Sequence, residues 1–222
     1  MNKVEIFADK RATNYDSFVE TWIPNYHYFM SIVPSLIEDA EGDSLLIAGC
    51  GTGTEIKTIL DASPSWKVTG VDPSPEMINQ AKARFSEDES VELIEGLVSD
   101  LPKEPNFHAA TLLLVLHFMP DDGTKLELLK SISRRLHKNS PFLILDITGS
   151  PDQMSANLEI LRHLIPKGLP TKDIDDRIAR IKTNLFPVSE GRISELLISA
   201  GFSKPVRFFQ NSIYMGWKCY MS

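Results

Sequence analysis

Residues 45–55 read Leu45-Leu46-Ile47-Ala48-Gly49-Cys50-Gly51-Thr52-Gly53-Thr54-Glu55. A continuous apolar run leads straight into glycines at alternate positions, as expected of a strand buried on both faces that ends in a tight turn. Glycine lets the backbone turn sharply and approach a ligand with no Cβ in the way. Residues 54–62, patterned as a helix, aim their amino-terminal N–H groups at the same place. A nucleotide-like ligand fits such a turn. The spacing is not the dinucleotide fingerprint, which would put glycine where Thr54 stands, nor the phosphate loop, which ends in Gly-Lys-Ser/Thr.

Outward from this stretch, short apolar runs alternate with segments of helical period, which predicts a parallel sheet covered on both faces. Strands are expected at 44–48, 67–71, 91–95, 109–114 and 141–147. The second closes on Asp72, Pro73 and Ser74. Ser74-Pro75 reads as a helix start, with a capping hydroxyl and a proline at the first helical position, and Met77, Ile78, Ala81 and Phe85 form its apolar face. A helix is expected over 122–136 and another over 189–200, stopped by Gly201. The runs 206–209 and 213–220, separated by Gln210, Asn211 and Ser212, predict a closing antiparallel hairpin.

Two segments exceed what the crossovers need. Residues 150–186 are polar-rich helical stretches broken by Pro166, Gly168 and Pro170, expected to form a lid. Residues 16–40 are helical stretches interrupted by Pro24 and Pro34, with Phe18, Trp22, Tyr26, Tyr28 and Phe29 among them. They read either as an amphipathic helix packed on the sheet or as a cap over a ligand pocket. The predicted fold is α/β: a Rossmann-like, doubly wound, mostly parallel seven-stranded sheet with a C-terminal antiparallel hairpin. A single domain is expected over 1–222, with a helical cap over 1–42 and a helical lid over 150–186.

Composition bounds the function. With 30 acidic against 23 basic residues the formal net charge is −7, so no overall field draws the chain to polyphosphate. Cys50 and Cys219 form neither a CxxC pair nor a disulfide framework, and no His/Asp/Glu set has metal-ligand spacing. No run of about 18 apolar residues suggests a membrane span. A cytoplasmic, metal-independent protein is expected.

Asp72, 19 positions after Gly53 and at a strand end, can accept from both hydroxyls of a ribose. With the glycine turn, this acid makes the chain resemble the class I S-adenosylmethionine-dependent methyltransferases over about residues 40–150. The resemblance implies S-adenosylmethionine as cofactor, with Gly49, Cys50, Gly51 and Gly53 along its methionine half and Asp72 on its ribose. The pattern acid-x-Ser-x-x-Met, here residues 72–77, implies Pro73 and Met77 beside the adenine, and Leu113 belongs to the same expected set. After the third strand the family usually has Gly-Asp-Ala. Here it is Gly96-Leu97-Val98, so adenine contacts at Leu97 and Val98 are expected to be apolar and backbone-mediated. His108 stands where the family usually carries Asp, a departure that concerns folding.

Residues 113–120, Leu-Leu-Val-Leu-His-Phe-Met-Pro, resemble the family's segment ending in His-His-Leu-Pro, with His117 at the first histidine. His117 is expected either to orient the cofactor or take an acceptor proton, or to be a satisfied structural group. Asn14-Tyr15-Asp16 resembles a Tyr-Asp element whose tyrosine covers the methyl end of the cofactor, which makes Tyr15 a catalytic and substrate-side candidate. Trp22-Ile23-Pro24-Asn25-Tyr26 is similar to an Ile-Pro-x-Tyr element of the branch containing tRNA wobble-uridine carboxymethoxy methyltransferases, and adds Tyr26 on the substrate side. The mixed charge of 150–186 favours a small-molecule acceptor over tRNA. A tRNA methyltransferase and a catalytically silent cofactor-binding protein are the alternatives.

Overall fold

The computed structural model describes residues 6, 7, 12–104 and 106–222. Two helices, α1 (Tyr15–Trp22) and α2 (Tyr26–Ile37), precede the alternation β1 (Ser44–Ala48), α3 (Thr54–Ala62), β2 (Lys67–Asp72), α4 (Pro75–Arg84), β3 (Val91–Glu95), β4 (Ala109–Leu113), α5 (Thr124–Ser133) and β5 (Pro141–Ile147). Helices α6 (Pro151–Leu164), α7 (Thr171–Asn184) and α8 (Glu190–Ser199) lead to the hairpin β6 (Val206–Asn211) and β7 (Tyr214–Tyr220). The seven strands lie in the order β3-β2-β1-β4-β5-β7-β6, parallel from β3 to β5, with β7 antiparallel to both β5 and β6. No helix among the described residues is long and apolar enough to cross a membrane.

Period-2 alternation sends the side chains of β1 to two cores. Leu45 and Ile47 pack with α1, α2, α3, α6 and α7, whereas Leu46 and Ala48 pack with α5 and α8. This double cover explains the unbroken apolar run of β1. The crossovers from β1 and β4 leave to opposite faces, so a crevice opens at the carboxyl ends of these two strands, where open α/β sheets hold ligands.

Several sequence expectations need correcting. Pro34 does not interrupt a helix but lies inside α2, and it is buried with Phe29, Met30, Val33 and Ile37, whose packing offsets the lost backbone bond. The fourth strand stops at Leu113 because Leu114 adopts φ 62°, a left-handed conformation that ends the ladder. Helix α5 begins at Thr124 rather than 122, behind Gly123 at φ 108°, and ends three residues early, at Ser133. Strand β6 runs on through Asn211, and the hairpin turns on Ser212 and Ile213, with Ser212 at φ 54°. Ser74 precedes α4, but its side chain makes no capping bond; its Oγ accepts from the Phe7 N–H at 2.9 Å.

Candidate functional site

The turn after β1 is pinned by β2: the N–H groups of Gly49 and Cys50 both donate to the Val71 carbonyl, at 2.7 and 3.1 Å. Gly49 and Gly51 have φ of 76° and 54°, which a side chain would strain. A Cβ built at Gly51 would point at the ring of Tyr15, 4.0 Å away, into the space the turn cradles. Asp72 faces the same turn. Its Oδ2 accepts from the Gly51 N–H at 3.0 Å and its Oδ1 from the Ser74 N–H at 2.8 Å. Burial pushes the Asp72 carboxyl above the usual carboxylate range, opposed by these N–H donors.

A cleft of about 110 Å³ runs across these strand ends, lined by Gly49, Gly51, Asp72, Pro73, Met77, Leu97, Val98 and Leu113. Eight of the ten residues expected from sequence at the cofactor are thereby brought together. Cys50 lines instead a smaller cavity beyond the turn, with Tyr26 and Glu55. Gly53 lines neither space; it precedes α3 at φ 85°, and a Cβ there would stand 2.7 Å from the Phe85 ring. Asp100 turns back on its own loop, its Oδ2 accepting from the Leu97 N–H at 2.8 Å. The loop is tied down by Arg135, which donates to the Ser99 and Leu101 carbonyls.

Glu55, absent from the sequence expectations, is the buried carboxylate of the smaller cavity. It is 7% exposed, and its Oε1 has no hydrogen-bond partner. Burial drives its pKa from the ordinary 4.5 to about 7. Helix α1 is fastened to the same turn by Asp16, whose Oδ1 accepts from the Thr52 hydroxyl at 2.6 Å and whose Oδ2 accepts from Arg84 at 3.0 Å.

Tyr15, on α1, borders all three spaces: the cleft, the Glu55 cavity and a third cavity of about 250 Å³ under α1 and α7. Burial raises its phenol far above the ordinary value, so it stands as a neutral donor. Tyr26 lines the Glu55 cavity and not the large one. Of the two tyrosines expected to face the acceptor or the cofactor, Tyr15 thus borders the large cavity and Tyr26 the smaller one.

His117 lines the large cavity. It sits in a short 3-10 turn after β4, nearly enclosed, with Nδ1 2.7 Å from Asp146 Oδ1. Asp146, on β5, also accepts from the backbone N–H groups of Leu116, His117 and Ile147. A carboxylate so placed makes Nδ1 the protonated nitrogen and leaves Nε2 as the accepting nitrogen of the ring. Buried Lys125 braces the turn from behind, donating to the Leu116 carbonyl and, at 2.9 Å, to that of Phe186.

Residues 46–142 match the family described as a methyltransferase domain. The chain is 28% identical over 179 residues to an uncharacterised 37.1 kDa protein of transposon TN4556 from Streptomyces fradiae, covering 80% of this chain and 48% of that one. It is 22% identical over 214 residues to carboxy-S-adenosyl-L-methionine synthase 1 of Yersinia pseudotuberculosis, covering 92% and 89%. Human N-acetylserotonin methyltransferase, solved in complex with SAM, superposes with a TM-score of 0.67 at 21% identity over 96% of this chain and 56% of that one. The chain thus spans about half the length of the transposon protein and of the human enzyme. With strand order, glycine turn and strand-end acid all in place, residues 46–142 match a methyltransferase domain and the chain has the fold of the class I methyltransferases.

Proposed function

We propose that this chain binds S-adenosylmethionine in the cleft at the ends of β1 and β2 and transfers its methyl group to a small molecule in the cavity lined by His117. The observation that carries the reading is the position of Tyr15, which borders both the glycine-turn cleft and the His117 cavity, so that two ligands would meet at one side chain. When bound, the cofactor supplies a methyl group on a cationic sulfur with a good leaving group. The protein's tasks are then to position, to exclude water and to receive a proton.

Asp72 takes the ribose hydroxyls, and Pro73, Met77, Leu97, Val98 and Leu113 enclose the adenine. Gly49, Cys50 and Gly51 line the methionine half, and Gly53 supports the turn from below. Glu55, whose buried oxygen lacks a donor, faces the ammonium group of that half, and Tyr26 closes the cavity beside it. The His117 Nε2 receives the acceptor's proton while Asp146 holds the ring. The described residues work as one unit in the reducing cytoplasm, with 12–42 as cap and 150–186 as lid; residues 1–5 and 8–11 of the expected cap lie outside the described residues.

The test is incubation with methyl-labelled S-adenosylmethionine and a cell extract split into RNA, protein and small-molecule fractions. Label is expected in the small-molecule fraction. Label confined to RNA would replace the acceptor class, and binding without label transfer would leave a silent cofactor-binding protein.

Glu55 gives a second check that does not depend on turnover. A carboxyl whose folded pKa stands above its unfolded one holds its proton more tightly when folded, so stability is greatest below about pH 4.5 as far as this group is concerned. That contribution is lost as pH climbs to about 7. At about 1.4 kcal/mol per pKa unit the loss is on the order of 3 kcal/mol. Glu55→Gln is therefore expected to flatten the pH dependence of chemical denaturation between pH 4.5 and 7 and to weaken S-adenosylmethionine binding at least tenfold. It should leave 5′-methylthioadenosine, which lacks the ammonium, unaffected. Equal losses for the two ligands would remove Glu55 from the ammonium.

A further inference from the structure

The cavity lined by His117 has a charge that a generic acceptor site does not require. Its walls are mainly apolar, with Phe18, Ile23, Leu114, Ile147 and Leu185 among them, yet two guanidinium groups from α7, Arg177 and Arg180, also line it. Among the described residues no Asp or Glu lines this space, although the chain as a whole carries a net charge of −7.

Arg177 is the informative one. Its guanidinium lies over the Phe18 ring, 4.7 Å from the centroid, and sits beside the Tyr214 hydroxyl. That hydroxyl in turn donates to the Trp22 carbonyl at 3.3 Å. These contacts orient the group and do not neutralise it: its Nε is buried with no hydrogen-bond partner, and no carboxylate among the described residues pairs with it. A half-buried cation held against an aromatic wall, with a donor left over, costs free energy unless an anion completes it. The guanidinium fork matches a carboxylate better than any neutral group does.

We propose that the methyl acceptor is a small carboxylic acid with an apolar body, its carboxylate bound by Arg177 and its methyl-accepting atom presented between Tyr15 and the His117 Nε2. This assignment rests on the methyl-transfer reading above and deepens it. It also answers an electrostatic question at the reacting centre. A guanidinium in the same chamber as a sulfonium repels it, and an acceptor that brings its own negative charge cancels that repulsion before the methyl group moves.

The experiment is methyl-label transfer with the full chain, using the small molecules of a cell extract divided beforehand on an anion exchanger into retained acids and unretained neutral and cationic compounds. Transfer is expected with the retained acids. Arg177→Met should lower kcat/KM for that fraction at least tenfold, through KM rather than kcat. Arg177→Lys should restore part of the loss, and the affinity for S-adenosylhomocysteine by calorimetry should be unchanged in both variants. Transfer only with the unretained fraction or with RNA overturns the proposal, as does an Arg177→Met variant that keeps its KM. If S-adenosylhomocysteine binds and no fraction accepts label, the methyl-transfer reading itself fails, and the proposal with it. Thermal denaturation of each variant separates loss of fold from loss of acceptor binding.

Discussion

Asp72→Ala is expected to weaken the binding of S-adenosylmethionine by at least tenfold and up to several hundredfold, measured by calorimetry on the isolated protein. Two hydrogen bonds from ribose hydroxyls to a carboxylate are each worth roughly 1.5–3 kcal/mol when well formed, and alanine removes both. The substitution also releases the Gly51 N–H from Oδ2 and the Ser74 N–H from Oδ1, so the glycine turn loses its tie to the end of β2. Asp72→Asn is not a mild control. Each carboxylate oxygen already accepts a backbone N–H, and the amide nitrogen would have to face one of those donors. Asparagine is therefore expected to cost several-fold in affinity and to lower thermal stability by roughly 1–3 kcal/mol, because one backbone donor is left facing the amide nitrogen. Affinity for the alanine variant equal to that of the wild type would withdraw Asp72 from the ribose.

The part of this site that was legible in the sequence is the part made by backbone and by residues adjacent along the chain. The glycine turn, the acid at the end of β2 and the Pro73–Met77 pattern each lie within a few positions of a strand end. Their placement in one cleft follows from a parallel β1–β2 pair in which Ala48 stands beside Val71. What escaped depends on contacts between distant segments. Glu55 reads as one more polar residue of an amphipathic helix, and only the packing of α2 over α3 encloses it. Asp146 lies in a run of residues that are all buried, Pro141–Ile147, where an acid is itself a signal: a carboxylate in a fully covered strand needs donors, and here the turn after β4 supplies them. Lys125 offered a similar sign, since it shares a helical face with Leu129 and Ile132 and is buried with them. Arg177 carried none, because its meaning comes from Phe18 and Tyr214, 159 residues before it and 37 after it in the chain.

Several of the misplaced boundaries lie beside a left-handed residue. Leu114, Gly123 and Ser212 all take positive φ, and two of the three are not glycine. Sequence pattern does not announce a left-handed residue that lacks the glycine signature. At Leu114 the strain coincides with the candidate site, because this residue borders all three cavities and its turn carries the chain from β4 toward His117. The left-handed step is held by the Leu114 N–H, which donates to the Leu145 carbonyl at 2.7 Å, one residue from Asp146. The same strand therefore fixes both the turn and the partner of the histidine.

His117→Ala is expected to lower kcat by 10²- to 10⁴-fold, the usual range for loss of a positioned general base, while cofactor affinity stays within about twofold. The separation follows from placement: His117 lines the large cavity and not the glycine-turn cleft, so the cofactor loses no contact when the ring is removed. Asp146→Asn should reduce kcat by a different route. An amide that turns its N–H₂ toward Nδ1 favours the tautomer with the proton on Nε2, the wrong nitrogen to receive one from the acceptor. That variant also leaves at least one of the Leu116, His117 and Ile147 N–H groups facing an amide donor, so it is expected to lose on the order of 1–3 kcal/mol of stability as well. His117→Ala, which leaves those backbone bonds in place, should be the milder change in denaturation and the more damaging one in single-turnover transfer. If the alanine variant transfers label within threefold of the wild-type rate, the His117–Asp146 pair serves only to hold the turn after β4. The acceptor would then reach the methyl group already deprotonated or without needing to lose a proton, and the work of catalysis would fall to the enclosure formed by Tyr15, α1 and α7.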